Sequence, residues 1–249
     1  MSLPAPAPLA SLGEVALFLD LDGTLAPIAP RPCDVGPDTA RNALLARLRE
    51  RMGGRIAVVS GRAIDDVDRI LGRSVMAVAG LHGLERRSAS GTLHRTSRHA
   101  GLDRARSAYQ ELAREHPGLL VEDKGASVAL HYRGYPQAAA AALRRANEVA
   151  AATGLHLQEG AMVVELRTPG PDKGDAILEF LSEAPFAGAK PIFVGDDLTD
   201  EHGFAVVETL GGMGILVGPM RPTAARFRLV DTHAVWRWLG TSREPAACR

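Results

Sequence analysis

Asp20-Leu21-Asp22-Gly23-Thr24 sets two carboxylates two residues apart at the end of the apolar run Val15-Ala16-Leu17-Phe18-Leu19. The point where a buried strand runs out into solvent is where open α/β sheets bind ligands. A carboxylate there can attack phosphorus and carry the phosphoryl group covalently. A second one can give and take a proton, and Gly-Thr adds a tight turn with a hydroxyl. An Asp-Gly turn after a strand also has a purely structural use, so the motif alone does not decide. Three further segments do more. Ile56-Ala57-Val58-Val59 ends at Ser60-Gly61-Arg62. Pro191-Ile192-Phe193-Val194 ends at Gly195-Asp196-Asp197-Leu198-Thr199-Asp200. Between them, Asp172-Lys173-Gly174 opens an amphipathic stretch from Asp175 to Leu181.

Strand-end Asp, strand-end Ser, helix-start Lys and strand-end Asp cluster, in that order, resemble the four signature motifs of haloacid-dehalogenase (HAD)-type phosphatases. The resemblance spans nearly the whole chain. In that chemistry Asp20 is the nucleophile, and Asp22 protonates the leaving alcohol and then activates water. Ser60 and Lys173 hold the phosphoryl oxygens, and Lys173 also offsets negative charge around Asp20. Phosphoryl transfer rests mostly on positioning and electrostatics. Five carboxylates (Asp20, Asp22, Asp196, Asp197 and Asp200) converging on one sheet edge repel one another and the substrate. A divalent cation resolves this, and all-oxygen ligands without nearby His or Cys point to Mg²⁺. The resemblance implies the Asp20 carboxylate, the Asp22 backbone carbonyl and the Asp196 carboxylate as metal ligands. For Asp197 and Asp200 three uses stay open: binding metal-bound water, orienting Lys173, or capping a helix that starts near Thr199. Thr24, Gly61 and Arg62, which flank these motifs, are expected to contact substrate.

The chain has 249 residues, near the upper size for one core, so one large and one small domain are expected. Its hydrophobic fraction of 46% supports a sizeable core. Zero formal net charge argues against a nucleic-acid binder with a broad basic face, so attraction of an anionic substrate must be local. Lys occurs only at 124, 173 and 190, which singles out Lys124 and Lys173. Cys33 and Cys248 lie far apart and read as reduced thiols of a cytoplasmic protein. No 18-residue apolar span is present, so neither a transmembrane helix nor a membrane partner is expected. Met1 to Leu12 is Pro- and Ala-rich without a basic start and reads as a short disordered lead. A monomer is expected.

Both ends of the chain alternate helix and strand. Asp38 can cap a helix from Thr39 to about Arg51, with Leu44, Leu45 and Leu48 at helical spacing. A helix over 65–71 and a strand over 75–79 follow. Gly80-Leu81-His82-Gly83 then makes a turn read as structural, with His82 near the substrate at most. Leu84-Glu85-Arg86 and Thr92-Leu93-His94 flank Ser90-Gly91 as a hairpin. Past the middle come a helix over 173–183, a strand over 191–194, a helix over 200–208, a strand over 214–217 and short terminal helices. This order implies a doubly wound parallel sheet.

The middle reads helix-strand-strand twice: 103–115, 119–122 and 127–133, then 136–153, 155–159 and 162–167. Two such units can form a small antiparallel sheet with helices on one face. Val128, Leu130 and Tyr132 alternate with Ala129, His131 and Arg133. Val164 and Leu166 alternate with Val163, Glu165 and Arg167, and Glu122 and Lys124 share a side. One face is thus apolar and the other carries Glu, Lys, His and Arg. An ordinary solvated face has the same look. The insertion between the Ser60 and Lys173 motifs raises the case for a roof over the catalytic edge. The expected fold is α/β, with a HAD-like doubly wound core (1–100 and 170–249) and an inserted α+β, αββαββ, C2-type cap (101–169). Hinges are expected near Arg98 to Leu102 and Thr168 to Pro171.

The segment from Glu122-Asp123-Lys124 to His131-Tyr132-Arg133 resembles the cap of trehalose-6-phosphate phosphatases. So do Gly80-Leu81-His82-Gly83, Val164-Glu165-Leu166-Arg167 and the Asp196 cluster through Glu201. That family resemblance implies Mg²⁺-dependent hydrolysis of a small sugar phosphate, trehalose 6-phosphate, as the last step of trehalose biosynthesis, by a free-standing phosphatase. It implies that Glu122, Lys124 and Glu165 bind hydroxyls of the distal glucose. Charged groups are strong partners for hydroxyls, and a pocket that must satisfy buried polar groups rejects sugars lacking them. His131 is a candidate contact that can also simply pack. Arg133 is another that can instead pair with a neighbouring acid. The alternatives are a phosphatase for sucrose 6-phosphate or mannosyl-3-phosphoglycerate, a phosphomannomutase-like mutase, and a non-enzymatic sugar-phosphate sensor.

Overall fold

The computed structural model describes residues 3–11 and 14–240, in two units: 1–94 with 171–249, and 95–170. In the larger unit the strands are β1 (Val15–Leu19), β2 (Ile56–Val59), β3 (Ala77–Gly80), β4 (Glu85–Arg87) and β5 (Leu93–Arg95). Helices α1 (Thr39–Arg51) and α2 (Ile64–Leu71) fall between them. The smaller unit holds α3 (Leu102–Glu115), β6 (Leu120–Asp123), β7 (Ser127–His131), α4 (Ala139–Thr153), β8 (His156–Gly160) and β9 (Val163–Arg167). The chain then returns with α5 (Lys173–Leu181), β10 (Lys190–Gly195), α6 (Glu201–Thr209), β11 (Met213–Val217), β12 (Phe227–Leu229) and α7 (Thr232–Leu239).

The large sheet runs β12-β11-β10-β1-β2-β3-β4-β5, parallel from β12 to β3 and antiparallel at β4. Its central strands are buried along their whole length, as expected of a parallel sheet covered on both faces. The odd residues of β1, Val15, Leu17 and Leu19, join one core with α1 and α2. The even ones, Ala16 and Phe18, join a second core with α5 and α6. Phe18 of β1 stacks on Phe186 at 5.6 Å and meets Phe180 of α5 at 6.1 Å between ring centroids. This aromatic packing ties the helix that starts at Lys173 to the strand that ends before Asp20. Truncating Phe18 to Ala would cost about 3–5 kcal/mol. Asp38 caps α1 through Arg41 N, as its sequence position indicates.

The smaller sheet is antiparallel, ordered β6-β7-β9-β8. Val128, Leu130, Val164 and Leu166 pack with α3 and α4 in a third core. Period-2 alternation thus sets which face is apolar.

Two expectations change. The last segment is not helical throughout: Phe227–Leu229 pairs with β11 as a parallel edge strand, a three-residue stretch too short to carry a periodic signal. Residues 3–11 are tied to the large unit, where a disordered lead was expected. Arg228 N donates to the Pro4 carbonyl at 2.9 Å, Trp238 Nε1 donates to the Ala7 carbonyl at 2.8 Å, and Leu9 packs on the core. Proline lacks a donor, but the carbonyls of a Pro-rich segment still accept. Residues 1, 2 and 12 of that lead, and Cys248, lie outside the described residues; Cys33 is exposed. No described helix is long and apolar enough to cross a membrane.

Candidate active site

Strand ends collect the chemistry. Asp20 follows β1, Ser60 follows β2 and Asp196 follows β10, and these three strands are neighbours in the sheet with β1 central. The chain leaves β1 toward β2 on one side and returns at β10 on the other. The carboxyl ends there frame the crevice of a switch point.

Lys173 is the first residue of α5, whose start is fixed by Asp172 accepting from Gly174 N and Asp175 N at 2.7 and 3.0 Å. Its Nζ donates to Asp20 Oδ1 at 2.9 Å and to Asp200 Oδ1 at 2.5 Å. All three side chains are almost fully buried. Burial alone would push the Lys173 pKa down, yet the two carboxylates hold it well above the ordinary lysine value. Asp200 Oδ2 also accepts from Asp196 N and Asp197 N at 2.8 and 2.9 Å. Asp200 thus orients Lys173 and pins the loop after β10, two roles that its hydrogen bonds show directly.

Asp20, Asp196 and Asp200 each bring one carboxylate oxygen to within 4.8 Å of the others, the one such cluster among the described residues. Burial pushes Asp20 up to about 7, with Lys173 opposing and Asp200 and Asp22 adding to the rise. Asp196 is pushed up to about 9 by burial, then by Asp20 and Asp200. Asp196 Oδ1 is buried and has no hydrogen-bond partner. With all three ionised, one ammonium would leave two negative charges uncompensated, and one buried oxygen lacks a donor. That donor set fits a hard divalent cation.

Asp22 takes a different position. Arg62 grips its carboxylate with two hydrogen bonds, Nε to Oδ2 at 2.6 Å and Nη2 to Oδ1 at 2.8 Å. Arg62 also pairs with Asp66 of α2, so the guanidinium fork expected to meet substrate is occupied within the protein. Arg62 N donates to Ser60 Oγ at 3.2 Å. Thr24 Oγ1 is buried without a partner, and Gly61 lies against the His82 ring. His82 itself is buried and left-handed, with φ 56°.

In the smaller unit the polar face brings together Glu122, Lys124, His131 and Glu165. Cross-strand pairing aligns Glu122 with Ala129 and Ala129 with Glu165. Lys124 Nζ donates to Glu165 Oε2 at 2.9 Å, and His131 Nε2 lies 2.8 Å from Glu122 Oε2. Burial opposes ionisation of Glu122, but the His131 hydrogen bond and the Lys124 charge hold its carboxyl below the ordinary value. Arg133 lies past the strand and is separate from this group; its Nη2 donates to the Ala161 carbonyl at 3.0 Å rather than to an acid.

Sequence reasoning missed Arg221. Its Nη2 donates to the carbonyls of Asp197 and Asp196 at 2.7 and 3.3 Å, and it pairs with Glu201. It follows β11, a strand end on the same edge, and that position was the available signal.

A buried Asp at a central strand end, linked through Lys to an Asp after the neighbouring strand, defines the HAD class of phosphatases. A trehalose-phosphatase family model matches residues 18–233. A probable trehalose-phosphate phosphatase of Sinorhizobium fredii is 40% identical over 220 residues, 86% of this chain and 81% of that protein. The trehalose-6-phosphate phosphatase of Escherichia coli is 40% identical over 229 residues, 91% of this chain and 85% of that protein. The solved structure of a trehalose-6-phosphate phosphatase related protein superposes with a TM-score of 0.75 at 28% identity, covering 90% of this chain and 94% of that one. The chain belongs to the trehalose-phosphatase family.

Proposed function

We propose that the protein hydrolyses trehalose 6-phosphate to trehalose and inorganic phosphate through an aspartyl-phosphate on Asp20. The carrying observation is the buried Asp20–Lys173–Asp200 chain at the carboxyl end of β1. The substrate named for the relatives supports the rest; other sugar phosphates and a mutase are not favoured. An Asp20 oxygen forms the bond to phosphorus as the bond from phosphorus to the sugar oxygen breaks. Asp22 gives that oxygen its proton. Water then attacks the phosphoryl group, Asp22 takes the water proton, and the Asp20–phosphorus bond breaks to release phosphate. Ser60 and Lys173 hold the phosphoryl oxygens throughout. Asp20, Asp196 and the Asp22 backbone carbonyl would hold Mg²⁺, which supplies charge neutralisation for the transferring phosphoryl group. Glu122, Lys124 and Glu165 recognise sugar hydroxyls, with His131 holding Glu122.

The test is phosphate release with Mg²⁺ from trehalose 6-phosphate, sucrose 6-phosphate, glucose 6-phosphate and an aryl phosphate. Strong preference for trehalose 6-phosphate is expected, with loss on chelation and return on adding Mg²⁺. Preference for another sugar phosphate would keep the core chemistry and overturn the assigned sugar contacts. We further propose a monomer working in the cytoplasm; two cysteines far apart in the sequence suit a reducing compartment. Size-exclusion chromatography reads the monomer, and imaging of a tagged chain reads the compartment.

A further inference from the structure

Residues Leu81 to Arg87 carry none of the side chains assigned to the reaction chemistry, yet they join the Ser60 loop to the Lys173 helix. Leu81, His82 and Gly83 are three consecutive left-handed residues, with φ of 50°, 56° and 108°. Two of them carry side chains, for which this conformation is strained and persists only where the surroundings enforce it. Here the surroundings are the phosphate-side motifs. Leu81 N donates to the Arg62 carbonyl and His82 N to the Ser60 carbonyl, both at 2.9 Å. The His82 ring lies over Gly61 so closely that a Cβ there would sit 2.5 Å from Cε1. A Cβ at Gly83 would sit 2.5 Å from the carbonyl oxygen of Asp172, the residue that caps the Lys173 helix. The turn is therefore wedged between the two motifs.

The strand that follows extends the same connection. Glu85, Arg86 and Arg87 are three successive buried charges in β4. Each is spent on a helix that begins at a phosphate-side motif. Helix α2 follows the Ser60 loop, and its own cap residue Ala63 makes no side-chain hydrogen bond. Glu85 Oε1 supplies that cap from the strand, accepting from Ile64 N at 2.5 Å. Arg87 grips Asp68 of α2 with two hydrogen bonds at 2.7 Å. Arg86 reaches the other way, to Glu179 of α5 and Glu183 just past its end at 2.6 and 2.7 Å, with its guanidinium 5.1 Å from the Phe180 ring centroid.

We propose that Leu81–Arg87 is a brace that sets the spacing between Ser60 and Lys173, with His82 and Glu85 as its positioning residues. The proposal rests on the reading of Ser60 and Lys173 as phosphoryl holders. It assigns His82 to the shape of the phosphate loop and not to the sugar. Phosphoryl transfer depends on fixed donors, and a misplacement of about 1 Å can cost about a hundredfold.

The experiment compares wild type, Ser60→Ala, Glu85→Ala, Glu85→Gln and His82→Asn. It reads kcat and KM on trehalose 6-phosphate and an aryl phosphate, and the inhibition constant of inorganic phosphate. Circular dichroism and melting curves check the fold. Glu85→Ala should lose about tenfold to a hundredfold in kcat/KM on both substrates alike and bind inorganic phosphate more weakly. Glu85→Gln keeps the accepting oxygen and should recover most of that loss. His82→Asn keeps a residue that tolerates the left-handed turn but removes the ring over Gly61; it should fold and also weaken phosphate binding. It tests the brace even if Glu85→Ala does not fold. Folded variants with wild-type phosphate inhibition would overturn the brace, as would a loss confined to the disaccharide. If Ser60→Ala also leaves phosphate inhibition unchanged, the phosphoryl-holder reading itself fails.

Discussion

The protein carries two polar clusters, one in each unit, and they are built differently. The core cluster draws Asp20, Lys173, Asp196 and Asp200 from loops at strand and helix ends. Lys173 and Asp200 are 3% and 0% exposed at the side chain. The second cluster lies on one face of a four-stranded antiparallel sheet and is only partly buried, with Glu165 at 5% but Lys124 at 13% and Glu122 at 33%. Deep burial makes each charge act strongly on its neighbours, which suits chemistry that must hold a nucleophile and stabilise transferred charge. Partial exposure makes each contact weaker and easier to exchange, which suits recognition of one sugar among many. On the proposed function, rate belongs to the first cluster and selectivity to the second.

The largest effect tests that assignment directly. Asp20→Asn should remove turnover by on the order of 10⁴-fold or more on trehalose 6-phosphate and an aryl phosphate equally, with an unchanged circular dichroism spectrum; substantial residual activity would rule out Asp20 as nucleophile. Next, Asp22→Asn should cost about 10²–10⁴-fold. Its loss should be larger on the sugar phosphate, whose alkoxide is a poor leaving group, than on an activated aryl phosphate. Equal loss on both in kcat/KM, which reads the leaving-group step, would remove Asp22 from the role of acid. Glu122→Ala and Lys124→Ala should cost about tenfold to a hundredfold in kcat/KM on trehalose 6-phosphate, from one lost charged hydrogen bond each. Both should leave the aryl phosphate nearly untouched; a common loss on both substrates would erase the division of labour.

Stability should divide in the same way. Lys173→Met leaves Asp20 and Asp200 buried without their cation, and should destabilise by about 3–5 kcal/mol in chemical denaturation. Lys124→Met leaves the buried Glu165 carboxylate, 5% exposed at the side chain, without the Lys124 cation instead of stranding two acids, and should cost less, about 1–3 kcal/mol. Similar values would mean that the two clusters are equally desolvated. The smallest effect concerns pH. Glu122 is held below its ordinary value of 4.5. Its stabilisation is therefore fully present above that value and is lost as pH falls through the lower folded value. Glu122→Gln should lower the melting temperature at pH 7 by about 2–4 °C or less, and the gap should close in strong acid. A gap that persists there would assign it to packing.

Much of the core cluster was legible because its residues sit at positions that sequence marks by itself. Asp20, Ser60 and Asp196 each end an apolar run, and Lys173 follows an Asp at a helix start. Strand ends are set by local hydrophobicity, and parallel strands share one edge, so these residues converge without knowledge of side-chain geometry. The polar face of the second sheet was legible for a similar reason, since period-2 alternation places Glu122, Lys124, His131 and Glu165 on one side. Arg133 was grouped with them by the same pattern, but the strand ends at His131, and past it the alternation no longer fixes a side.

The sequence by itself determined the strand-end carboxylates, the order of the motifs, the inserted antiparallel sheet and its apolar face. Each of these follows from local periodicity and termini, which are properties of short windows. Only the tertiary structure decided who pairs with whom. Lys173 meets Asp20 across 153 residues, and Arg62 meets Asp22 across 40. It also decided that Asp200 accepts from Lys173 and two backbone donors, that Arg221 holds the Asp196–Asp197 loop, and that Glu85 caps α2 from a separate strand. Among many acids and arginines, composition permits nearly every such pairing. Packing of the helices on the sheet selects one set, because a buried charge is tolerated only where its partner is already in place.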